Sequence, residues 1–195
     1  AAARHIAQFN DRALALAAAF WPGPLTLVLP LREDAMLSPL VTAGLTTVAI
    51  RLPAHPVARA LLLAFGGPLA APSANPSGRV SPTRASHVSD GLSGRIEAIL
   101  DGGPCAVGVE STILGLAGPA TLLRPGGISV EALEAVLGHP LALPDGAKIT
   151  APGQLASHYA PSAPVRLNVT VPGRNDVYVG FGQSQHATAL SLSAT

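Results

Sequence analysis

Cysteine, lysine and aromatic residues are scarce in this 195-residue sequence, and each scarcity excludes something. A single cysteine, Cys105, rules out an internal disulfide framework and a site built from several thiolates. It is also typical of a protein of the reducing cytoplasm. Aromatic residues make up only 4%, which disfavours the stacking surface of single-strand RNA-binding modules. The net charge of +1 predicts no large basic field for nucleic acid.

Long apolar runs and metal-ligand spacings are lacking too. No segment approaches the ~20 consecutive apolar residues of a membrane-spanning helix, so no membrane partner is expected. The six histidines show no helical His pair and no H-E-x-x-H motif, which gives no reason to expect a protein-bound metal. Neither a P-loop nor a G-x-G-x-x-G follows a strand-like segment, so a nucleotide would have to be held in another way.

What the sequence does have is 48% hydrophobic residues, which predicts a globular domain with a buried core. Strand-like and helix-like segments alternate, but several strands are consecutive. The pattern predicts an α/β fold with a twisted mixed sheet and flanking helices. The expected strands are LTLVLP (25–30), residues 46–52 of TTVAIRLP, PLAAP, IEAILDGG, STILGL and TLLRPGG. The expected helices cover 6–20, 56–65, 83–92 and the segment that begins at Ser129.

The domain organisation is read from a change in composition after residue 138. Residues 139–164 are rich in proline and show little periodicity, which is typical of a linker. VRLNV and DVYVGFG follow as two expected strands. We therefore predict a first domain over 1–138, a linker over 139–164, and the start of a second small α/β domain over 165–195.

The loop GPLAAPSANPSGRVSPT (67–83) concentrates prolines and hydroxyl groups. Its prolines restrict the backbone, and Ser73 and Asn75 project the same way if the segment is extended. Ser81 and Thr83 add hydroxyl groups near the start of an expected helix. The pattern indicates a rigid polar cradle for a phosphate or carboxylate. The alternative is a turn whose serines and asparagine satisfy their own backbone.

Two arginines lie where an anion could be bound. Arg51 interrupts an apolar strand and shares its face with Thr47, so it is either a carboxylate clamp or a strand-end arginine that reaches solvent. Arg124 ends a strand beside a tight turn, a good position for a phosphate contact but also a common one for a surface arginine. The glycine-rich segment DGGPCAVGVEST ends in Glu110, Ser111 and Thr112, just before an expected strand. Cys105 within it is expected to be a small packed residue and not a nucleophile, because the sequence shows no adjacent base.

Several of these stretches together resemble the YrdC-like family. PGPLTLVL, TVAIRLPAHP, SANPSGRVSPT, DGGPCAVGVESTIL and LRPGGIS occur in the order seen in that family, and PGQLASHYAP resembles the interdomain linker of its two-domain threonylcarbamoyl-AMP synthases. The resemblance implies that L-threonine, bicarbonate and ATP, with Mg2+, are converted to L-threonylcarbamoyladenylate and pyrophosphate. The product would supply the machinery that adds a threonylcarbamoyl group to tRNA.

The resemblance also implies roles for single residues. Arg51, Ser73 and Ser111 correspond to threonine contacts. The residues that correspond to contacts with ATP are Thr47, Asn75, Ser81, Thr83, Arg124, His158 and Tyr159. No residue is expected to act as a nucleophile, because this chemistry needs positioning and charge stabilisation.

Two departures from the family pattern shape the expectation. The family's N-terminal third, with its Lys-x-Arg motif, has no counterpart here, and the second domain is short. The chain is therefore expected to be an inactive fragment of such a synthase. The alternatives are a YrdC-like module that binds RNA, for which a weak RNA contact would suffice, and a carbamoyl-transferring relative; a salt-dependent RNA titration separates the first of these from the synthase.

Overall fold

A computed structural model describes residues 2–143, 163–180 and 189–191 of the chain. The chain forms two compact units, Ala1–Ala160 and Pro161–Thr195. The predicted division into a first domain, a linker and the start of a second domain stays a prediction.

The first unit is built on a four-stranded mixed sheet. Its strands are β1 (Leu25–Pro30), β2 (Thr47–Ile50), β3 (Thr112–Gly115) and β4 (Thr121–Arg124), in the order β2-β1-β3-β4. β1 and β3 are parallel, whereas β1 with β2 and β3 with β4 are antiparallel. The prediction of an α/β fold with a mixed sheet and flanking helices is therefore confirmed.

Six helices accompany this sheet within the described residues: α1 (Ala2–Ile6), α2 (Asp11–Phe20), α3 (Pro39–Thr42), α4 (Pro56–Phe65), α5 (Ala85–Leu92) and α6 (Val130–Leu137). Local sequence explains their ends. The side chain of Ser129 accepts a hydrogen bond from the Ala132 N–H at the start of α6, and Gly138 ends that helix in the left-handed conformation. Asn10 caps α2 in the same way through Ala13.

The two faces of the sheet differ in what covers them. Leu25, Leu27 and Leu29 alternate along β1 and are wholly buried, together with Leu16 of α2 and Leu133 of α6. This main core lies between the sheet and the packed pair α2 and α6. The intervening residues of β1 face the other way, where Val28 and Ile113 form a small separate cluster with Leu123. We call this second side the open face of the sheet.

Several expected elements are wrong. The helix over 6–20 is two helices, because Asn10 caps a new helix after the isolated pairing of Ala7 with Leu31. PLAAP and IEAILDGG form no strand, and both lie largely exposed instead of being buried in the sheet. The helix expected from Thr83 begins at Ala85, with Arg84 as the cap.

The second unit has one described sheet, in which β5 (Tyr178–Gly180) pairs in parallel with β6 (Ala189–Ser191). DVYVGFG therefore contains a strand as expected, whereas VRLNV does not form one. Arg166 forms an ion pair with Asp176, and Asp176 Oδ2 also accepts a hydrogen bond of 2.6 Å from the Gly173 N–H. Within the described ranges of both units, no helix is long and apolar enough to cross a membrane.

Candidate functional site

The candidate site lies on the open face of the sheet. Strand alternation places Thr47 and Arg51 on this face, since Val48 is buried in the main core on the other side. Thr26 lies on the same face of β1 and pairs with Ile113 of β3, and the side chain of Arg124 reaches this region from β4 where the β3–β4 pairing shifts register. Neighbouring strands therefore bring polar and cationic side chains to one surface.

Arg124 is held firmly against the start of β3. Its Nε and Nη2 donate to the carbonyl oxygen of Ser111 at 3.1 and 2.9 Å, and Nη2 also donates to Ser111 Oγ at 3.0 Å. Ser111 Oγ in turn lies 2.8 Å from Thr26 Oγ1. Because the Arg124 side chain is only 16% exposed, this network fixes a cation at the edge of the open face.

Glu110 joins this arginine to the polar loop 67–83. Its Oε2 lies 3.7 Å from Arg124 Nη2, and its Oε1 accepts a hydrogen bond from the hydroxyl group of Ser81. Its backbone carbonyl accepts from the Gly127 N–H at 3.1 Å. We call Arg51, Ser81, Glu110, Ser111 and Arg124 the arginine–glutamate cluster.

Arg51 belongs to this cluster through charge. Its Nε donates to the carbonyl oxygen of Gly23 at 3.1 Å, and its guanidinium is partly buried although the residue as a whole is exposed. Burial lowers the pKa of Arg51 from its usual value, the carboxylate of Glu110 raises that pKa, and the cation of Arg124 lowers it further. The three side chains thus lie within electrostatic range, and Arg51 remains charged because arginine does not deprotonate in proteins.

The turn after β4 lies in direct contact with the backbone that carries Glu110 and Ser111. A Cβ on Gly126 would lie 2.4 Å from the carbonyl oxygen of Glu110 and from the nitrogen of Thr112. Thr112 is wholly buried, donates through Oγ1 to the Ile128 carbonyl at 2.8 Å, and accepts from the Ile128 N–H at 2.9 Å. Only glycine allows this approach, which sets the position of Arg124 relative to Ser111.

The polar loop forms a second part of the site. Asn75 donates through Nδ2 to the carbonyl oxygens of Pro76 and Arg79, both at 3.0 Å, and its buried Oδ1 has no hydrogen-bond partner in the described part of the chain. A pocket of about 520 Å³ lies here, lined by Asn75, Pro76, Arg79, Val80, Ser81, Pro82, His87, Asp90 and Gly91. Ser81 therefore belongs to the arginine–glutamate cluster and also lines this pocket.

Two family models match the chain in sequence order. Residues 1–126 match the model of the Sua5/YciO/YrdC family, described as telomere recombination, and residues 128–191 match the model described as threonylcarbamoyl-AMP synthase, C-terminal domain. The chain belongs to the Sua5/YciO/YrdC family. The expectation of a YrdC-like, two-domain member is confirmed.

Individual relatives agree with this assignment. The chain is 52% identical over 170 residues to the threonylcarbamoyl-AMP synthase of Bacillus subtilis, covering 84% of this chain and 49% of the relative. It is 46% identical over 190 residues to that of Pyrococcus abyssi, covering 88% and 54%. The chain thus spans about half the length of the curated relatives it matches.

Solved structures give the same fold. The crystal structure of Pyrococcus abyssi Sua5 complexed with L-threonine matches with a TM-score of 0.77 and 45% identity, over 83% of this chain and 49% of that one. Escherichia coli YciO matches with a TM-score of 0.60 at 22% identity, over 68% and 64%, and supports the fold alone.

The structure brings some of the predicted site residues of this family member together and separates others. Arg51, Ser81, Ser111 and Arg124 share the arginine–glutamate cluster, which puts Arg124 beside a residue predicted to contact threonine. Asn75 lies in the adjoining loop. The remaining predicted residues lie apart or outside the description: Thr47 is half-buried on β2, Ser73 is exposed, and His158 and Tyr159 fall outside the described residues.

Thr83 and Cys105 are neighbours across two loops. The Cys105 N–H donates to the Thr83 carbonyl at 2.9 Å, and the Thr83 N–H donates to His87 Nδ1 at 3.3 Å. Cys105 is exposed, so the prediction that it is a small packed residue is wrong. Both contacts use the backbone of Thr83, so they leave open the role of its side chain.

Glu110 and Thr26 are the site residues for which sequence reasoning gave no role. Glu110 stands immediately before Ser111 and β3, and a carboxylate that precedes a buried strand needs a partner. The sequence has the matching cations in Arg51 and Arg124, but nothing in their spacing indicates that three distant segments meet. Thr26 was hidden in the apolar strand LTLVLP, where only its alternation with Leu25 and Leu27 gives its face.

Metal ligands are not grouped in the part of the chain that the structure describes. No set of three or more His, Cys, Asp or Glu side chains could hold a metal ion there. Glu110 is engaged by Ser81 and Arg124. The expected Mg2+ therefore has no group of described carboxylates to receive it as a resident ion.

Proposed function

We propose that the protein is a threonylcarbamoyl-AMP synthase, a nucleotidyltransferase that makes L-threonylcarbamoyladenylate. The observation that carries this proposal is the arginine–glutamate cluster in a member of this family. Arg51 and Arg124 supply two anchored guanidinium groups beside Ser111, a type of side chain that suits the carboxylate of an amino-acid substrate. The names of the relatives from Bacillus subtilis and Pyrococcus abyssi, and the L-threonine in the Sua5 structure, support the same activity.

The reaction joins three substrates in two bond-forming steps. Bicarbonate takes up a proton and loses water to give CO2, and the amine of L-threonine then attacks CO2, which forms a C–N bond and, with loss of an amine proton, a carbamate. A carbamate oxygen then attacks the α-phosphorus of ATP, and the bond from that phosphorus to the bridging oxygen breaks as pyrophosphate leaves. The protein supplies no nucleophile, so its contribution is to orient the reactants and to stabilise developing charge.

The residues divide into two groups in this proposal. Arg51 binds the threonine carboxylate, and Ser73 and Ser111 make further contacts with threonine. The ATP side consists of Thr47, Asn75, Ser81, Thr83, Arg124, His158 and Tyr159. Arg124, which is assigned to ATP, contacts Ser111, which is assigned to threonine, so these two residues link the two groups.

The remaining participants are assigned by their chemistry. Mg2+ enters as part of the ATP substrate, since this ion is usually held by phosphates and only one or two carboxylates. The product is a reactive mixed anhydride, and the resemblance to threonylcarbamoyl-AMP synthases implies that it is consumed by an enzyme system that transfers the threonylcarbamoyl group to tRNA. We place the reaction in the cytoplasm, consistent with a sequence that has one cysteine.

The experiment is a pyrophosphate-release assay on the complete gene product. With L-threonine, bicarbonate, ATP and Mg2+ together, we expect pyrophosphate and, by mass spectrometry, a species with the mass of threonylcarbamoyladenylate. Leaving out threonine or bicarbonate should each reduce release to the background rate. Pyrophosphate release that does not depend on threonine would contradict the proposal.

A further inference from the structure

Glu110 has not been given a role in the proposed reaction. Among the five residues of the arginine–glutamate cluster, it alone contacts both Ser81 of the polar loop and Arg124 of β4 through its side chain. One carboxylate oxygen accepts from Ser81 in the polar loop, and the other faces Arg124 at the end of β4. The two contacts join segments that are 43 positions apart in the sequence, from Ser81 to Arg124. The carboxylate is 29% exposed, so it lies at the surface of the site and not in the core.

The backbone of Glu110 is as firmly placed as its side chain. Its carbonyl oxygen accepts from the Gly127 N–H at 3.1 Å, and Gly126 lies so close that no Cβ would fit. The carbonyl oxygen of the next residue, Ser111, accepts hydrogen bonds from Arg124. The Glu110 carboxylate therefore starts from a fixed point and can impose a position on its partners.

The charges in the cluster point the same way. Arg51 and Arg124 repel each other, and the carboxylate of Glu110 opposes that repulsion at Arg51. Each arginine is anchored by its own hydrogen bonds, Arg51 to Gly23 and Arg124 to Ser111, so the carboxylate of Glu110 mainly reduces the electrostatic cost of placing two cations at this site.

The hydrogen bond to Ser81 has a direction that matters for ligand binding. The Ser81 hydroxyl group donates this hydrogen bond, and the Glu110 carboxylate oxygen accepts it. Ser81 Oγ then offers only lone pairs to the neighbouring pocket. A hydrogen bond from a ligand hydroxyl or amino group satisfies that arrangement, whereas a fully ionised phosphate oxygen does not.

We propose that Glu110 is a positioning residue for the adenylate-forming reaction: it holds Ser81 and Arg124 in register across the site and fixes the proton of Ser81. This inference rests on the proposed function. Glu110 acts through its neighbours and does not itself react. Because reactants that are misplaced by about 1 Å lose much of their rate, a positioning residue is expected to affect turnover more than binding.

The test is the variant Glu110→Gln in the complete gene product. Glutamine keeps the shape but removes the charge that opposes the two arginines. We expect kcat to fall at least tenfold, while the dissociation constant for L-threonine, from calorimetry, changes less than threefold because Arg51 keeps its charge. Glu110→Asp, which keeps the carboxylate on a shorter side chain, should recover part of the lost kcat.

Two further variants make the result specific. Glu97→Gln changes an exposed glutamate of the same domain and should leave kcat unchanged. Ser81→Ala removes the partner of Oε1, and combining it with Glu110→Gln should cost less than the product of the two single effects, since both break one contact. If Glu110→Gln unfolds, Glu110→Asp and Ser81→Ala carry the same comparison of kcat with binding.

The outcomes separate this inference from the proposed function. An unaltered protein that makes no adenylate would overturn the proposed function and this inference with it. An active protein whose Glu110→Gln variant keeps kcat within twofold would overturn this inference alone. A loss of threonine binding equal to the loss of kcat, or fully independent effects of Ser81→Ala and Glu110→Gln, would likewise show that Glu110 does not position the reactants.

Discussion

Arg51 combines a fixed position with a permanent charge. Its Nε donates a hydrogen bond to the carbonyl oxygen of Gly23, which anchors the side chain to the turn before β1. A guanidinium has two further nitrogens, which can pair with both oxygens of a carboxylate. Since burial already lowers the pKa of Arg51, a bound anion would stabilise the charged form in return.

At this scale the first prediction concerns Arg51→Ala. A charge-assisted hydrogen bond is worth roughly 1.5–3 kcal/mol, so the affinity for L-threonine should fall about tenfold to a hundredfold. The affinity for ATP should fall much less, because the predicted ATP contacts lie mainly in other segments. Calorimetry with each ligand separately measures both effects.

The matched control is Arg59→Ala, which removes an exposed arginine from α4 in the same domain. It should leave both affinities unchanged. Equal losses for threonine and ATP in Arg51→Ala would mean that Arg51 supports the fold of the site as a whole and does not bind the carboxylate.

At the scale of elements, the turn between β4 and α6 determines how the strand ends meet. Gly126 passes so close to Glu110 and Thr112 that side-chain atoms are excluded, and Thr112 closes the turn through two hydrogen bonds to Ile128. The same backbone carries the Ser111 carbonyl that orients Arg124. Stability and site geometry therefore depend on one contact between elements.

Gly126→Ala is the prediction for this contact. The added methyl group meets backbone atoms, which cannot rotate away, so we expect a loss of about 1–3 kcal/mol in the free energy of unfolding. The affinity for L-threonine should fall as well, because Ser111 and Arg124 move apart. Urea denaturation and calorimetry measure the two effects. Gly118→Ala is the control, since nothing lies within 4 Å of the added Cβ there, and a similar loss in both variants would contradict the steric argument.

Elements whose periodicity and end residues are both visible in the local sequence were predictable. β1 has alternating leucines, α4 has Pro56 at its start and Gly66 at its end, and α6 has Ser129 and Gly138. PLAAP and IEAILDGG failed because a short apolar run does not say whether a neighbouring strand is there to pair with it. In the site, motifs gave the candidate residues, but the meeting of Glu110 with Ser81 and Arg124 depends on tertiary contacts that no local pattern encodes.

At the scale of the whole molecule, a ligand that binds only the folded state stabilises all of it. With L-threonine at a hundred times its dissociation constant, the gain is about 2.7 kcal/mol. In a protein of 150–250 residues, each kcal/mol of added stability raises the melting temperature by roughly 2–4 °C, and a longer chain shows a smaller shift. A thermal melt therefore reports threonine binding without any need for turnover or for ATP.

The last prediction uses this linkage to ask which group of threonine the protein recognises. The melting temperature of the complete gene product should rise by several degrees in excess L-threonine. It should rise much less in L-threoninamide, which keeps the amine and the side chain but lacks the carboxylate that would balance the charge of Arg51 and Arg124. In Arg51→Ala the difference between the two ligands should shrink, while Arg59→Ala should behave like the unaltered protein. Equal stabilisation by the acid and the amide would mean that the arginine–glutamate cluster binds some other anion, and the position of the threonine carboxylate would have to be sought elsewhere on the sheet.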